Sequence, residues 1–290
     1  MTARVSLVTP VLNGAPFIRA TIESVLAQTQ APFEYVIVDG GSEDGTLDIA
    51  RAYADRVRLI TGPDGGQSDA IRKGFAATGG EFIGYLNADD TLLPGALETL
   101  ATELAAHPAA AMVYGDALHV DADGRPIAPY PTRAFDAELL AHRCFIAQPA
   151  TLIRRSAYDA VGGIDFTLQF AMDYDLWFRL ADRFEIRYLP EVVATSRMYP
   201  ANKTLGSRLA VYREIIATVR RRRGYVPYEW WAGYAAQLLE PSADQFFAIP
   251  RPTSRTALLA LVIGLGINVR KPATALRDWL SHRSLFRSRT

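Results

Sequence analysis

One cysteine, Cys144, stands in 290 residues. No disulfide can form within the chain, and a reducing compartment is the expectation. Histidine is nearly as scarce: four residues, scattered, with no second cysteine to complete a zinc set. His107, His119, His142 and His282 read as surface residues. No G-x-x-x-x-G-K-[ST] occurs, which excludes a P-loop, and no G-x-G-x-x-G follows the first apolar segment, so a dinucleotide fold lacks its phosphate cradle. The longest strongly apolar run, Ala257 to Val269, has about 13 residues against the roughly 20 that span a bilayer. MTARVSLVTPVLNG enters a strand pattern without a signal-peptide layout, so the expected location is cytoplasmic.

Net charge is also lacking: the formal balance is zero. That zero hides an asymmetry, because residues 205–290 hold 14 Lys/Arg against 5 Asp/Glu and the preceding residues are acidic to the same extent. An acidic body and a basic tail imply two tasks. With 49% hydrophobic and 21% charged residues, the chain can bury a substantial core.

What is present is a regular alternation. RVSLVT, residues 4–9, is β-branched and apolar, and Phe17, Ile18, Ile22, Val25 and Leu26 follow at helical spacing. FEYVIVDGG predicts a second strand, Thr46 to Tyr53 a helix, Val57 to Thr61 a third strand and Ser68 to Ala77 a helix; residues 81–86 predict a fourth strand. Such alternation implies a parallel sheet with helices on both faces, and ligands then sit outside the carboxyl ends of the strands. The polar clusters Thr9–Asn13, Asp39–Ser42, Pro63–Ser68 and Asn87–Asp90 fall there. Beyond them, Leu92 to Ala106 predicts a helix with Pro94 in its first turn. A hairpin is predicted around Asp123-Gly124, a strand from Gln148 to Ile153, a turn at Gly162-Gly163 and a helix starting near Asp173.

In GYLNADD, residues 84–90, a hydrophobic run ends in two adjacent carboxylates. Like charges repel and lose free energy without water or a partner, so a divalent cation is one solution and a plain turn the other. Convergence of four polar clusters on one crevice favours the cation. Mg²⁺ or Mn²⁺ held by one or two carboxylates plus substrate phosphates is a common way to bind a nucleotide.

VSLVTPVLNGAPFIRATIESVLAQT, VIVDGGSEDGT, GPDGGQSDAIRKGF and GEFIGYLNADDTLLPGAL, in that order over about residues 4–100, resemble a family 2 glycosyltransferase domain of GT-A fold. A weaker resemblance runs to about residue 205 through QPATLIRRSAYDAVGGID and AMDYDLWFRLA, similar to members that build bacterial surface polysaccharides. The resemblance implies a mostly parallel central sheet with helices on both faces in a catalytic domain over residues 1–204. Residues 1–100 would bind the nucleotide sugar, 101–204 the acceptor, and 205–290 would form a helical extension. It implies transfer of a sugar from a nucleoside diphosphate, UDP first, to an acceptor hydroxyl with inversion.

By the same resemblance, Thr9, Pro10 and Asn13 line the nucleotide pocket with Gln67 and Ser68, and Asp39 contacts base or ribose beside Gly40 and Gly41. Many relatives carry a second carboxylate at the position of Gly40. Asn87-Ala88-Asp89 occupies the Asp-x-Asp position, with Asp89 the principal Mn²⁺ or Mg²⁺ ligand and Asp90 in reserve. Asn87 offers a carbonyl oxygen or holds the ribose. Arg72, where relatives often have Asn, either touches the diphosphate or is solvated. An inverting transferase needs a general base; Asp173 matches the family's, with Asp175 the runner-up, although Asp173 also suits a helix cap. Gln148, Trp177 and Arg179 are acceptor-side candidates, each with a plainer reading: buried amide, core ring and snorkelling cation. Relatives often have a His near Met198–Tyr199, and its absence leaves Arg197 and Lys203 as phosphate partners or solvated cations.

The apolar segment within residues 205–290 lies between Arg251/Arg255 and Arg270/Lys271. It fits either on an anionic leaflet, which would place the protein peripherally on the inner face of the cell membrane near a lipid-linked or glycan acceptor, or in a helical cap. Nucleic acid is not expected, since no recognition motif accompanies the charge. Two rival activities remain at this stage. One is a nucleotidyltransferase on a similar fold, although TPVLNGAPF lacks the basic Gly-rich loop such enzymes carry. The other is a non-catalytic nucleotide-binding or scaffold module, which the substitutions at Asn87 and Gly40 make conceivable.

Overall fold

A computed structural model describes residues 3–239, 241 and 253–282. Arg251, with the rest of 242–252, and residues 240 and 283–290 of the basic extension lie outside the described residues. The described chain divides into two compact units: residues up to Phe135 with Phe145–Tyr199, and Asp136–Cys144 with the residues from Pro200 onward.

The first unit starts with the expected alternation: β1 (Val5–Val11), α1 (Ile18–Leu26), β2 (Glu34–Asp39), α2 (Thr46–Arg51), β3 (Arg58–Thr61), α3 (Gln67–Ala76) and β4 (Phe82–Tyr85). It continues with β5 (Thr91–Leu92), α4 (Ala96–Ala106), β6 (Ala110–Val120), β7 (Pro126–Pro129), β8 (Thr151–Arg154), α6 (Arg155–Ala160), α7 (Met172–Ala181) and β9 (Glu185–Arg197). One sheet runs in the order β3-β2-β1-β4-β8-β6-β9-β5, with β7 paired to β6. The four strands of the first half are parallel, as are β6 and β9; β8 joins the halves by antiparallel pairing to β4 and β6.

Burial follows the sequence pattern. β1 is buried at every position, as a strand covered on both faces must be. α1 turns Ile18, Thr21, Ile22 and Val25 inward at the i, i+3, i+4, i+7 spacing of one helix face. α3 lies so close to the sheet that a Cβ on Gly74 would come within 2.4 Å of Val8 Cγ1. Two expected boundaries shift. Pro94 precedes the N-cap Gly95 of α4 rather than sitting in its first turn, and residues 148–150 form a 3₁₀ turn before β8 begins.

In the second unit, α5 (Ala137–His142), α8 (Lys203–Gly206), α9 (Arg208–Arg223), α10 (Tyr228–Leu239), α11 (Ser254–Ile267) and α12 (Pro272–Ser281) are all helical. Their core gathers Ile216, Val226, Tyr228, Trp231, Ala235 and Ala260. Among the described residues, no helix is long and apolar enough to cross a membrane.

Candidate active site

The loops that leave the carboxyl ends of β1, β2 and β4 are tied together by side chains with few alternatives. Asn13 adopts a left-handed conformation, φ 53°, which its short polar side chain tolerates. Its Oδ1 accepts from Glu43 N–H at 2.9 Å, and its own N–H donates to Ser42 Oγ at 2.7 Å. From α1, the buried Thr21 hydroxyl lies 2.8 Å from the carbonyls of both Ala88 and Asp90, holding the loop after β4.

Asp39 ends β2, only 1% exposed. Its Oδ1 accepts the N–H groups of Gly41 and Ser42, each at 2.9 Å, a turn that the positive φ of Gly41 permits. Its Oδ2 is buried and has no hydrogen-bond partner. An orphaned carboxylate oxygen is costly unless a ligand completes it.

Across the sheet end, Asp89 is half-buried and accepts from the Tyr199 hydroxyl at Oδ2, 3.1 Å. Burial pushes its carboxyl above the usual range, which the Tyr199 hydrogen bond and the Arg197 charge moderate. Asp90 is buried, and burial and the charge of Asp89 push it well above the usual range. Its Oδ1 accepts Arg197 N–H at 2.9 Å and its Oδ2 faces Asn87 Nδ2 at 3.2 Å. Asp90 therefore anchors the end of β9, whereas Asp89 keeps an oxygen that accepts from no other residue among the described ones. The set fits a divalent cation that takes Asp89 from the protein and its remaining ligands from a diphosphate. It does not fit an all-protein cage, since no group of three or more His, Cys, Asp or Glu gathers among the described residues.

Asn87 is fully engaged. Its Oδ1 accepts from Gln67 Nε2 at 2.5 Å and its Nδ2 donates to Asp90 and, at 3.3 Å, to Gln148 Oε1. Ala88 contributes its backbone to the same loop.

Packing engages several of the candidate side chains elsewhere in the fold, and for Gln148 and Trp177 it agrees with the plainer of the two readings, buried amide and core ring. Thr9 is fully buried with its hydroxyl 2.9 Å from Tyr35 OH, and Pro10 is buried beside it, so neither presents a side chain to a nucleotide. Ser68, also fully buried, donates to the Leu168 carbonyl at 2.5 Å. That bond fastens the start of α3 to the segment leading into α7. Arg72 turns to Asp69 at 2.6 Å and lies over the Phe166 ring. Gln148 is buried and donates to the Tyr85 carbonyl at 2.7 Å, so it braces Asn87 from behind. Trp177, 0% exposed, is a core ring. Arg179 pairs with the buried Asp175 at 2.8 Å and donates to the Val161 carbonyl. Arg197 is buried over the Phe17 ring and donates to the carbonyls of Asp89, Asp121 and Ala122. It is a structural cation. His119 is likewise no surface residue: it is fully buried and stacked on Tyr130.

The two carboxylates of α7 separate cleanly. Asp175 is sealed inside with Arg179, while Asp173, in the first turn and half-buried, accepts from Tyr174 N–H at 2.7 Å.

Two participants escape a reading of the sequence. Tyr199 stands beside the position where relatives carry His, and the residue type at that place was the available signal. Asp64 fills the space left by Gly40: a Cβ there would lie 2.9 Å from Asp64 Oδ2, while Oδ1 accepts Gly66 N–H. No local pattern marks it.

The family model described as "Glycosyl transferase family 2" matches residues 6–162, more than half of the chain. The chain is a family 2 glycosyltransferase. An uncharacterized glycosyltransferase of Rickettsia typhi is 30% identical over 213 residues, covering 69% of this chain and 65% of that protein. A PGL/p-HBAD biosynthesis glycosyltransferase of Mycobacterium bovis is 31% identical over 197 residues, 66% of this chain and 75% of the relative. The O-antigen biosynthesis protein RfbC of Myxococcus xanthus is 34% identical over 184 residues, which are only 14% of its length. This glycosyltransferase thus spans less than two thirds of some of its curated relatives.

Among solved structures, S. aureus TarS 1–349 in complex with UDP-GlcNAc superposes with a TM-score of 0.65 at 16% identity, over 99% of this chain and 93% of that one. The mannosyltransferase PcManGT from Pyrobaculum calidifontis, in complex with GDP-Man and Mn²⁺, gives 0.61 at 18%, over 98% and 85%. At such identities the likeness establishes the fold, and the fold is GT-A.

Proposed function

We propose that this glycosyltransferase moves a sugar from a nucleoside-diphosphate sugar to an acceptor hydroxyl, inverting the anomeric centre, in the assembly of a bacterial polysaccharide or glycoconjugate. The observation that carries this reading is the buried, unpartnered Oδ2 of Asp39 at the end of β2. A carboxylate so placed accepts N–H or O–H groups from a ligand, and a nucleoside offers both. UDP is the first nucleotide to test, because TarS was captured with UDP-GlcNAc, and GDP the second, from PcManGT with GDP-Man. The acceptor is a glycan or lipid-linked hydroxyl, in keeping with the O-antigen and PGL/p-HBAD relatives.

Asp39 fixes the nucleoside, and Asn13, Gly41 and Ser42 hold the surrounding loops in a prepared shape. Asp89, oriented by Tyr199, would hold Mn²⁺ or Mg²⁺. When bound, that cation neutralises charge on the departing diphosphate. Asp173 takes the proton from the acceptor hydroxyl, and attack from the face opposite the leaving group inverts the centre. Its place in the first turn of α7 fixes the carboxylate on a rigid element, so positioning supplies much of the rate.

Melting of wild type and Asp89→Ala with UDP-, GDP- and dTDP-sugars, each with Mn²⁺, Mg²⁺ or EDTA, tests the reading. One donor should raise the melting point, and EDTA or Asp89→Ala should abolish the shift. Proton NMR of the product then reads the anomeric configuration. No shift with any donor sinks the proposal, and retention of configuration sinks its mechanism.

A further inference from the structure

α11 carries apolar residues around its whole circumference, TALLALVIGLGI, yet only one side of it is covered. A helix apolar all round is ordinarily buried all round. Thr256, Ala257, Ala260 and Gly264 form the covered side, Gly264 lying against the Trp231 indole. On the other side Leu258 is 63% exposed, Val262 61% and, just past the helix end, Val269 60%. At 3.6 residues per turn Leu258, Val262 and the half-buried Leu265 fall within about 60° of arc. α12 repeats the arrangement: Ala275 is buried, while Leu276 and Leu280 are 43% and 48% exposed.

The exposed charges of α11, α12 and the turn between them are of one sign among the described residues. Arg255, Arg270, Lys271 and Arg277 are exposed, and among the described residues none of them is paired. The acid of α12, Asp278, is drawn inward, accepting at Oδ2 from the Tyr225 hydroxyl at 2.7 Å and from Tyr228 N–H at 3.0 Å. The face therefore presents aliphatic side chains among four uncompensated cations. A second copy meeting it with the same face would bring like charges together.

We propose that this face of α11 and α12 docks on the anionic surface of a phospholipid bilayer, with Leu258, Val262 and Val269 among the acyl chains and the four cations at the phosphates. Apolar burial and attraction to anionic headgroups act together in such helices. The inference stands apart from the donor and acceptor assignment, since it uses none of the residues of the sugar-transfer site.

Flotation of the full chain with vesicles tests it, using phosphatidylglycerol mixed into phosphatidylcholine and phosphatidylcholine alone, at about 0.1 M and about 0.5 M salt. Wild type should float with the phosphatidylglycerol vesicles, be released by salt, and remain behind with phosphatidylcholine alone. The pair Leu258→Glu/Val262→Glu and the pair Arg270→Glu/Lys271→Glu should each float roughly tenfold less well or worse. All four positions are exposed, so both variants should melt with wild type, and that melt is the control for folding. Flotation equal for wild type and both variants, or no flotation of folded wild type, overturns the proposal. So does a dimer in sedimentation velocity that Leu258→Glu/Val262→Glu dissociates, which would assign the face to a second copy.

Discussion

Tyr199 and Asp89 are 110 residues apart in sequence, and the phenol of one donates to the carboxylate of the other at 3.1 Å. Burial and the Asp89 charge both hold the Tyr199 hydroxyl in its protonated, donating form. The ring itself packs on Phe17 with centroids 4.9 Å apart. Tyr199→Phe should keep that packing while removing one hydrogen bond to a charged group, worth about 1.5–3 kcal/mol of stability and so a few degrees of melting point. We expect nucleotide affinity in the presence of Mn²⁺ to fall roughly tenfold or more and affinity in EDTA to stay put. Titration calorimetry under both conditions reads the difference; equal losses would mean that Tyr199 acts on the fold and not through Asp89.

The two aspartates of α7 should separate activity from stability. Asp173→Asn is expected to lower kcat by roughly 10²–10⁴-fold while leaving donor affinity and melting unchanged. Asp175→Ala leaves the Arg179 guanidinium, 13% exposed, without its carboxylate. Stranding a buried charge costs roughly 3–5 kcal/mol. Urea unfolding and initial rates on both variants decide the roles, and the opposite pattern would make Asp175 the base.

Much of this was legible in the chain. Four alternations predict the parallel half of the sheet and put Asp39 and Asp89 at or just beyond the carboxyl ends of its strands, where the structure has them. The second half was less so, for identifiable reasons. β9 pairs in parallel with β6, some 70 residues away, and its Pro190 and Glu191 fall in an irregularity between the pairs Leu189–Gly115 and Val192–Asp116. That interruption breaks the alternation that marks a strand. The hydroxyls of Thr9 and Ser68 look like ligand contacts in sequence because they flank the right loops. Their partners, Tyr35 and the Leu168 carbonyl, come from elsewhere in the fold and absorb them. Arg197 was misplaced for the same reason: three carbonyls that no motif announces surround it.

His119 should make stability depend on pH. Burial lowers its pKa from 6.5 to about 4, against a hydrogen bond with the Ser196 backbone that raises it. Above about pH 6.5 both folded and unfolded chains hold it neutral. Between there and about pH 4 only the unfolded chain takes up the proton, so stability falls as pH falls, by up to about 3 kcal/mol from this group. His119→Phe preserves an aromatic stack on Tyr130 and removes the titration. Urea unfolding across that window should show the loss in wild type and a flatter profile in the variant; parallel profiles would mean that His119 takes up its proton as readily in the folded chain as in the unfolded one.

Asn87 stands where relatives place the first carboxylate of the Asp-x-Asp motif, and its contacts give a physical reason for the amide. Its Nδ2 donates to Asp90 Oδ2 at 3.2 Å and to Gln148 Oε1 at 3.3 Å, so both neighbours present oxygen. Asn87→Asp would replace that donor with an acceptor, facing a buried carboxylate on one side and an amide oxygen on the other. Without a divalent cation, only the Arg197 charge offsets the like charges. We expect the variant to melt about 5–10 °C below wild type in EDTA and to recover most of that loss in Mn²⁺ with nucleoside diphosphate, binding the cation more tightly than wild type does. Differential scanning calorimetry with and without Mn²⁺ and nucleotide distinguishes the outcomes. A variant as stable as wild type in EDTA would show that Asp90 does not need the amide, and the cation would then have to be sought away from GYLNADD.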